Sequence, residues 1–145
     1  MTIQTRDFGV MELDENELLT FRSPIYGYEE LSQYALLTFE TTGDGISWLQ
    51  SVDDPEICFI LLDPEEVGLP YHPSLPSEVT ELLGGEESIV FRLIAVVPEN
   101  FHDTTVNLKS PIVINTEKRL AAQVILDEDQ PIRMRLFGAQ EEATC

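Results

Sequence analysis

The stretch Ser88-Ile-Val-Phe-Arg-Leu-Ile-Ala-Val-Val97 has an apolar residue at every second position. Ile89, Phe91, Leu93, Ala95 and Val97 form one continuous apolar face, and Arg92 lies among the alternates. A repeat of two is the signature of a β-strand, because successive side chains leave opposite faces of the backbone. This is the longest strand the sequence predicts. Working toward the N-terminus, Ile57-Cys-Phe-Ile-Leu-Leu62 is apolar throughout, as expected of a strand covered on both faces. Ile46-Ser-Trp-Leu-Gln-Ser-Val52 puts Ile46, Trp48, Gln50 and Val52 on one face, after the turn segment Glu40-Thr-Thr-Gly-Asp-Gly45. Tyr34-Ala-Leu-Leu-Thr-Phe39 is a further strand. Phe8-Gly-Val-Met-Glu-Leu13 and Glu17-Leu-Leu-Thr-Phe21 read as two more around Asp14-Glu15-Asn16.

Toward the C-terminus, Thr104–Leu108, Pro111–Asn115 and Leu120–Leu126 complete the set. Short strands separated by turn signals predict an all-β, mainly antiparallel fold: a small closed or nearly closed β-barrel with one short helix. The helix starts at Pro76, with Glu78 complementing its dipole. It presents Val79, Leu82 and Leu83 on one face and stops at Gly84-Gly85. Pro64, Pro70, Pro73 and Pro76 mark the loop before it, and Tyr71 and Leu75 are its expected anchors. Phe91, Leu93 and Ile114 are expected as buried barrel residues. Residues 1–127 read as a single barrel domain and 128–145 as a partly flexible C-terminal extension ending in Glu141-Glu-Ala-Thr-Cys145.

The charge is lopsided. Twenty-seven acids face eight bases, a formal net charge of −19, and no Lys or Arg occurs between Arg22 and Arg92. Such a surface repels nucleic acid and anionic lipid and steers basic partners toward it. Solubility alone explains the same charge equally well. No apolar run reaches the ~20 residues of a membrane span, and the start Met1-Thr-Ile-Gln-Thr-Arg6 lacks a signal peptide's pattern. Cys58 and Cys145 give no disulfide framework, so a reducing cytoplasm is the simplest setting.

Catalytic constellations are missing. There is no phosphate loop, dinucleotide fingerprint or nucleophile elbow. His72, His102, Cys58 and Cys145 are scattered rather than set at metal-ligand spacing. His102-Asp103 is the one adjacent acid–base pair, and a surface turn explains it as well. Asp53-Asp54-Pro55-Glu56 opens a turn, and Asp127-Glu-Asp129 lacks the glycine and distal glutamate of a calcium loop. Trp48, Phe59 and Phe91 suit a packed core better than a ligand cavity. The expectation is a binding protein without catalytic residues, metal or cofactor. The acidic loop Asp63-Pro-Glu-Glu-Val-Gly-Leu-Pro-Tyr71 is the candidate partner-binding segment: Asp63, Glu65 and Glu66 attract, while Val67 and Leu69 supply apolar contact.

Several segments together resemble the FliW family over nearly the whole chain. They are Pro24-Ile-Tyr-Gly-Tyr-Glu29, Leu49-Gln-Ser-Val-Asp-Asp-Pro55 followed by Phe59, and Tyr71-His-Pro-Ser-Leu-Pro76. The clearest is Thr105-Val-Asn-Leu-Lys-Ser-Pro-Ile-Val-Ile-Asn115 followed by Ala122-Gln-Val-Ile-Leu126. Tyr26 departs from the proline frequent before the family's glycine, and little matches after Leu126. The resemblance implies a flagellar assembly factor that sequesters the translational regulator CsrA, relieves repression of flagellin messages, and binds flagellin in a partner-switching cycle. It implies a cytoplasmic protein, monomeric when free, with no direct binding of nucleic acid or membrane. Two alternatives stay open: an acidic nucleic-acid mimic for another basic partner, and a small-ligand-binding barrel.

Overall fold

A computed structural model describes residues 1–39, 43 and 45–136. The strands are β1 (Thr2–Gln4), β2 (Val10–Glu12), β3 (Leu18–Ser23), β4 (Gln33–Leu37), β5 (Ile46–Ser51) and β6 (Cys58–Leu62). After helix α1 (Ser77–Leu82) come β7 (Ile89–Val96), β8 (Thr105–Val106), β9 (Ile112–Asn115), β10 (Leu120–Gln123) and β11 (Met134–Arg135). The main sheet runs β11-β8-β7-β6-β5-β4-β3-β10-β9, and β7 pairs again with β9. That second pairing closes a barrel of β7, β6, β5, β4, β3, β10 and β9. All its pairs are antiparallel except β3 with β10, which run parallel with a bulge at Ala121/Ala122. The all-β barrel with one short helix is therefore the observed fold.

Every barrel strand sends side chains to the interior. Leu19, Phe21, Tyr34, Leu49, Leu61, Ile112, Ile114 and Ala121 are buried there, with Phe59, Val90 and Ile94 packed against them. Aromatic rings meet within it, Tyr34 with Phe21 at 4.8 Å and with Phe59 at 6.3 Å. Two further cores lie outside the barrel wall. The β1–β2 hairpin covers Ala35 and Leu37, where Ile3 and Leu13 meet Trp48 and Phe39. On another side, the Pro64–Pro76 loop, α1 and the segment after β10 cover Leu62, Leu93, Ala95, Val113 and Ala122.

This layering corrects several expectations. Ile114 is a barrel residue, but Leu93 is buried outside the wall and Phe91 is only half-buried there. The interior-facing residues of β7 are the alternates, Val90 and Ile94. The apolar face of that strand was legible, but β7 is covered on both sides. Trp48 is likewise outside, edge-on to Phe8 at 5.3 Å under the hairpin. β2 and β3 do not pair with each other; β2 pairs with β1, a strand too short and polar to announce itself. In α1, Val79 and Leu83 pack inward, whereas Leu82 is exposed.

The chain past Asp127 remains tied to the sheet. β11 pairs with β8, the Leu108 N–H donates to the Pro131 carbonyl at 3.0 Å, and Met134 and Leu136 pack on the outer core. Two-residue strands leave no periodicity to read. The segment Glu141–Cys145 lies outside the described residues, as does most of the turn Glu40–Gly45.

Candidate functional site: an acidic groove beside an open strand edge

Strand β6 ends at Leu62 because Pro64 has no N–H to continue the ladder. Asp63 turns the chain: its Oδ1 accepts the Glu65 N–H at 3.1 Å, and its carbonyl accepts Val67 N–H at 3.1 Å. The Pro64 carbonyl accepts Leu69 N–H at 2.8 Å, and Gly68, at φ +76°, lets the chain reverse. Glu65 and Glu66 stand exposed on this turn, while Val67 and Leu69 are half-buried. Leu69 packs on the outer core. Tyr71 then anchors the loop: it is buried, its hydroxyl donates to the Leu108 carbonyl at 2.6 Å, and its ring meets Phe91 edge-on at 6.0 Å. Burial, helped by the charge of Glu128, pushes its phenol well above the usual range.

Strand β7 continues where β6 stops. Leu62 lies opposite Leu93, so the next residues in register are Asp63 and Arg92. Their side chains meet, Arg92 Nη2 to Asp63 Oδ2 at 3.5 Å, both largely shielded from solvent. Beyond that point, Ile89–Arg92 pair only with β9. Ser88 turns its carbonyl to Thr116, and Ile94 turns its own to Asn107. Backbone direction alternates along a strand, so Val90 and Arg92 face β9, while Ile89 and Phe91 face the departed β6. The Phe91 carbonyl on that side accepts Arg92 Nη1 at 2.8 Å.

The result is an open groove of about 680 Å³. Its floor is β7 from Ile89 to Arg92, and its wall is the loop from Asp63 to His72. Glu65 gives the rim negative charge, and Phe91, Leu69 and Tyr71 give it an apolar lining. The structure thus brings Asp63, Glu65 and Leu69 to one groove and separates their roles. Asp63 is engaged by Arg92 and by the turn. Glu65 and Glu66 are the exposed charges. Val67 packs toward Gly45 rather than lining the groove.

Other acidic sequences prove structural. Asp53 Oδ2 accepts the N–H groups of Ser32 and Gln33, each at 3.2 Å, and Asp54 Oδ1 accepts that of Glu56 at 3.1 Å. Asp103 pairs with Arg135 at 3.0 Å on the surface. Among the described residues no group of three or more His, Cys, Asp or Glu could hold a metal ion, and no helix is long and apolar enough to cross a membrane. Sequence reasoning missed Arg92 and the open edge. Their signal was a predicted strand longer than its partner, with a proline just past the partner's end. It also missed Gln50, which is fully buried. Gln50 donates to the carbonyls of Ser51, Pro55 and Ile57 and accepts the Arg6 N–H at 2.9 Å, joining the hairpin to the barrel.

Comparison with known proteins places the chain. The family model described as "FliW protein" matches residues 2–136. The flagellar assembly factor FliW of Caldanaerobacter subterraneus is 33% identical, covering 99% of this chain and 100% of the relative. That of a Geobacillus species is 39% identical, covering 94% and 96%. A solved structure, described as the crystal structure of the flagellar assembly factor FliW, superposes with a TM-score of 0.85 at 36% identity, covering 94% of this chain and 97% of that one.

Proposed function

Since this chain belongs to the FliW family, we propose that it works as a partner-switching regulator in flagellar assembly. It captures the translational regulator CsrA and so relieves repression of flagellin messages. Flagellin competes for it inside the cell, and flagellin export returns it to CsrA. It acts in the cytoplasm as a monomer when free, and it binds neither nucleic acid nor membrane directly. It performs no catalysis.

One observation carries this reading beyond family membership: exposed carboxylates beside an apolar groove, within a stretch that has no Lys or Arg from Ser23 to Phe91. An RNA-binding regulator is expected to be basic. A negative face speeds its encounter and disfavours acidic competitors. Apolar surface in the groove then supplies contact that charge alone does not.

The test is a mixing experiment with purified CsrA and flagellin from the same bacterium, read by size-exclusion chromatography. Each should form a complex with this protein, and the two complexes should be mutually exclusive. Failure to bind either partner, or stable co-elution of all three, would overturn the reading. Capture of a different basic protein, with neither CsrA nor flagellin bound, would favour the second reading that the charge permits, an acidic nucleic-acid mimic for another basic partner.

A further inference from the structure

We propose that the groove takes an extended basic segment of a protein partner as an added β-strand along the Ile89–Phe91 edge of β7, with a partner cation displacing Arg92 from Asp63. This rests on the reading that the acidic loop faces protein partners, and it adds the mode of binding.

The argument starts from the edge. A strand with one unpaired side presents N–H and C=O groups that readily accept another chain, and proteins guard such edges with charged side chains. Here Ile89 and Phe91 direct their backbone groups toward the groove, because the alternates are taken by β9. The guard is Arg92. Its guanidinium contacts two groove groups at once, the Phe91 carbonyl at 2.8 Å and the Asp63 carboxylate at 3.5 Å. These are the contacts an added strand would make, a backbone N–H on the carbonyl and a Lys or Arg on the carboxylate. Arg92 therefore stands in for the missing strand. Strand addition draws affinity from main-chain hydrogen bonds and selectivity from alternate side-chain pockets. The pockets here are apolar at Phe91 and Leu69 and acidic at Asp63 and Glu65. A volume of about 680 Å³ accommodates a short extended segment. Charge complementarity specifies a basic occupant, since like charges across an interface are strongly disfavoured.

The probe is the capped hexapeptide acetyl-Lys-Val-Lys-Val-Lys-Val-amide, titrated into the full chain and followed by amide hydrogen exchange and NMR. Bound peptide should slow exchange at Ile89 and Phe91 and leave Val90 and Arg92 unchanged. The counterpart with Glu in place of Lys should bind at least about tenfold more weakly. N-methylation of alternate peptide amides should abolish binding. Arg92→Gln should bind the peptide about two- to fivefold more tightly, the range of a part-exposed ion pair. No peptide binding, binding without protection at Ile89 and Phe91, or equal binding of the N-methylated form would each overturn the proposal. CsrA titrated into the same preparation separates the two readings. Captured CsrA with both edge amides unprotected sinks strand addition alone. Peptide protection without any CsrA capture sinks the CsrA reading alone.

Discussion

Asn115 Nδ2, at the end of β9, donates to the Leu83 carbonyl at 2.8 Å, joining the barrel wall to the end of the only α-helix among the described residues. Its Oδ1 accepts the N–H groups of Glu117 and Lys118 at 3.1 and 3.0 Å, so the same amide shapes the turn into β10. A six-residue helix is marginal alone, and its last carbonyls need partners. Asn115→Ala leaves buried groups unsatisfied and should cost about 1–3 kcal/mol in urea unfolding. Hydrogen exchange should show α1 loosening first. A cost near zero would mean that the amide is dispensable.

Alkaline pH should destabilise the protein in a defined window. Burial pushes the Cys58 thiol up from 9.0 to about 11. It pushes the Tyr34 phenol up from 10.0 to about 12. Both groups are neutral when protonated, and the folded chain holds those protons longer than the unfolded chain. The stabilisation is therefore complete below pH 9 and is lost as pH rises, from about pH 9 for Cys58 and pH 10 for Tyr34. The slope is about 1.4 kcal/mol per pH unit per group. Cys58→Ala should delay the onset to about pH 10, as read from urea midpoints between pH 8 and 12.

Tyr34 is fully buried in the barrel, and its hydroxyl has no hydrogen-bond partner among the described residues. Tyr34→Phe keeps the ring contacts with Phe21 and Phe59 and removes a desolvated polar atom. The variant should match or slightly exceed the parent in stability at pH 7 and lose part of the alkaline sensitivity. A loss above about 1 kcal/mol would show that the hydroxyl has a partner of its own.

Two truncations separate the barrel interior from its outer layer. Ile114 is buried inside, and Ile114→Ala should cost about 2–5 kcal/mol. Phe91 is half-buried on the groove floor, so Phe91→Ala should cost about 1–3 kcal/mol, below the value for a fully buried phenylalanine. The reverse order in chemical denaturation would place Phe91 in the principal core.

Glu65 and Glu66 are the exposed charges of the loop. Replacing both with Lys should slow CsrA association and flatten its salt dependence, with little change in stability. Stopped-flow measurements at low and high salt give the on-rates. An unchanged on-rate and salt slope would remove the loop from the interface. Flagellin binding in the same preparation distinguishes shared from separate sites.

Composition and periodicity alone determined the strand-rich fold, the short helix, the acidic character and the loop that forms the groove wall. These follow from local rules: alternating apolar residues make strands, proline ends them, and a long run with many Asp and Glu and no Lys or Arg carries net negative charge. Asn107 and Asn115, both within the segment that carries the clearest family resemblance, each accept backbone N–H groups at a strand end. Tertiary structure decided which face of each strand meets which core. An apolar strand face packs equally well into a barrel or under a covering loop, so Phe91, Leu93 and Trp48 could not be assigned from their pattern. It also decided the open edge of β7, because an edge exists only when one strand outlasts its neighbour. The register of β6 on β7 brings Asp63 to Arg92, a contact between residues far apart in the chain that no local pattern specifies.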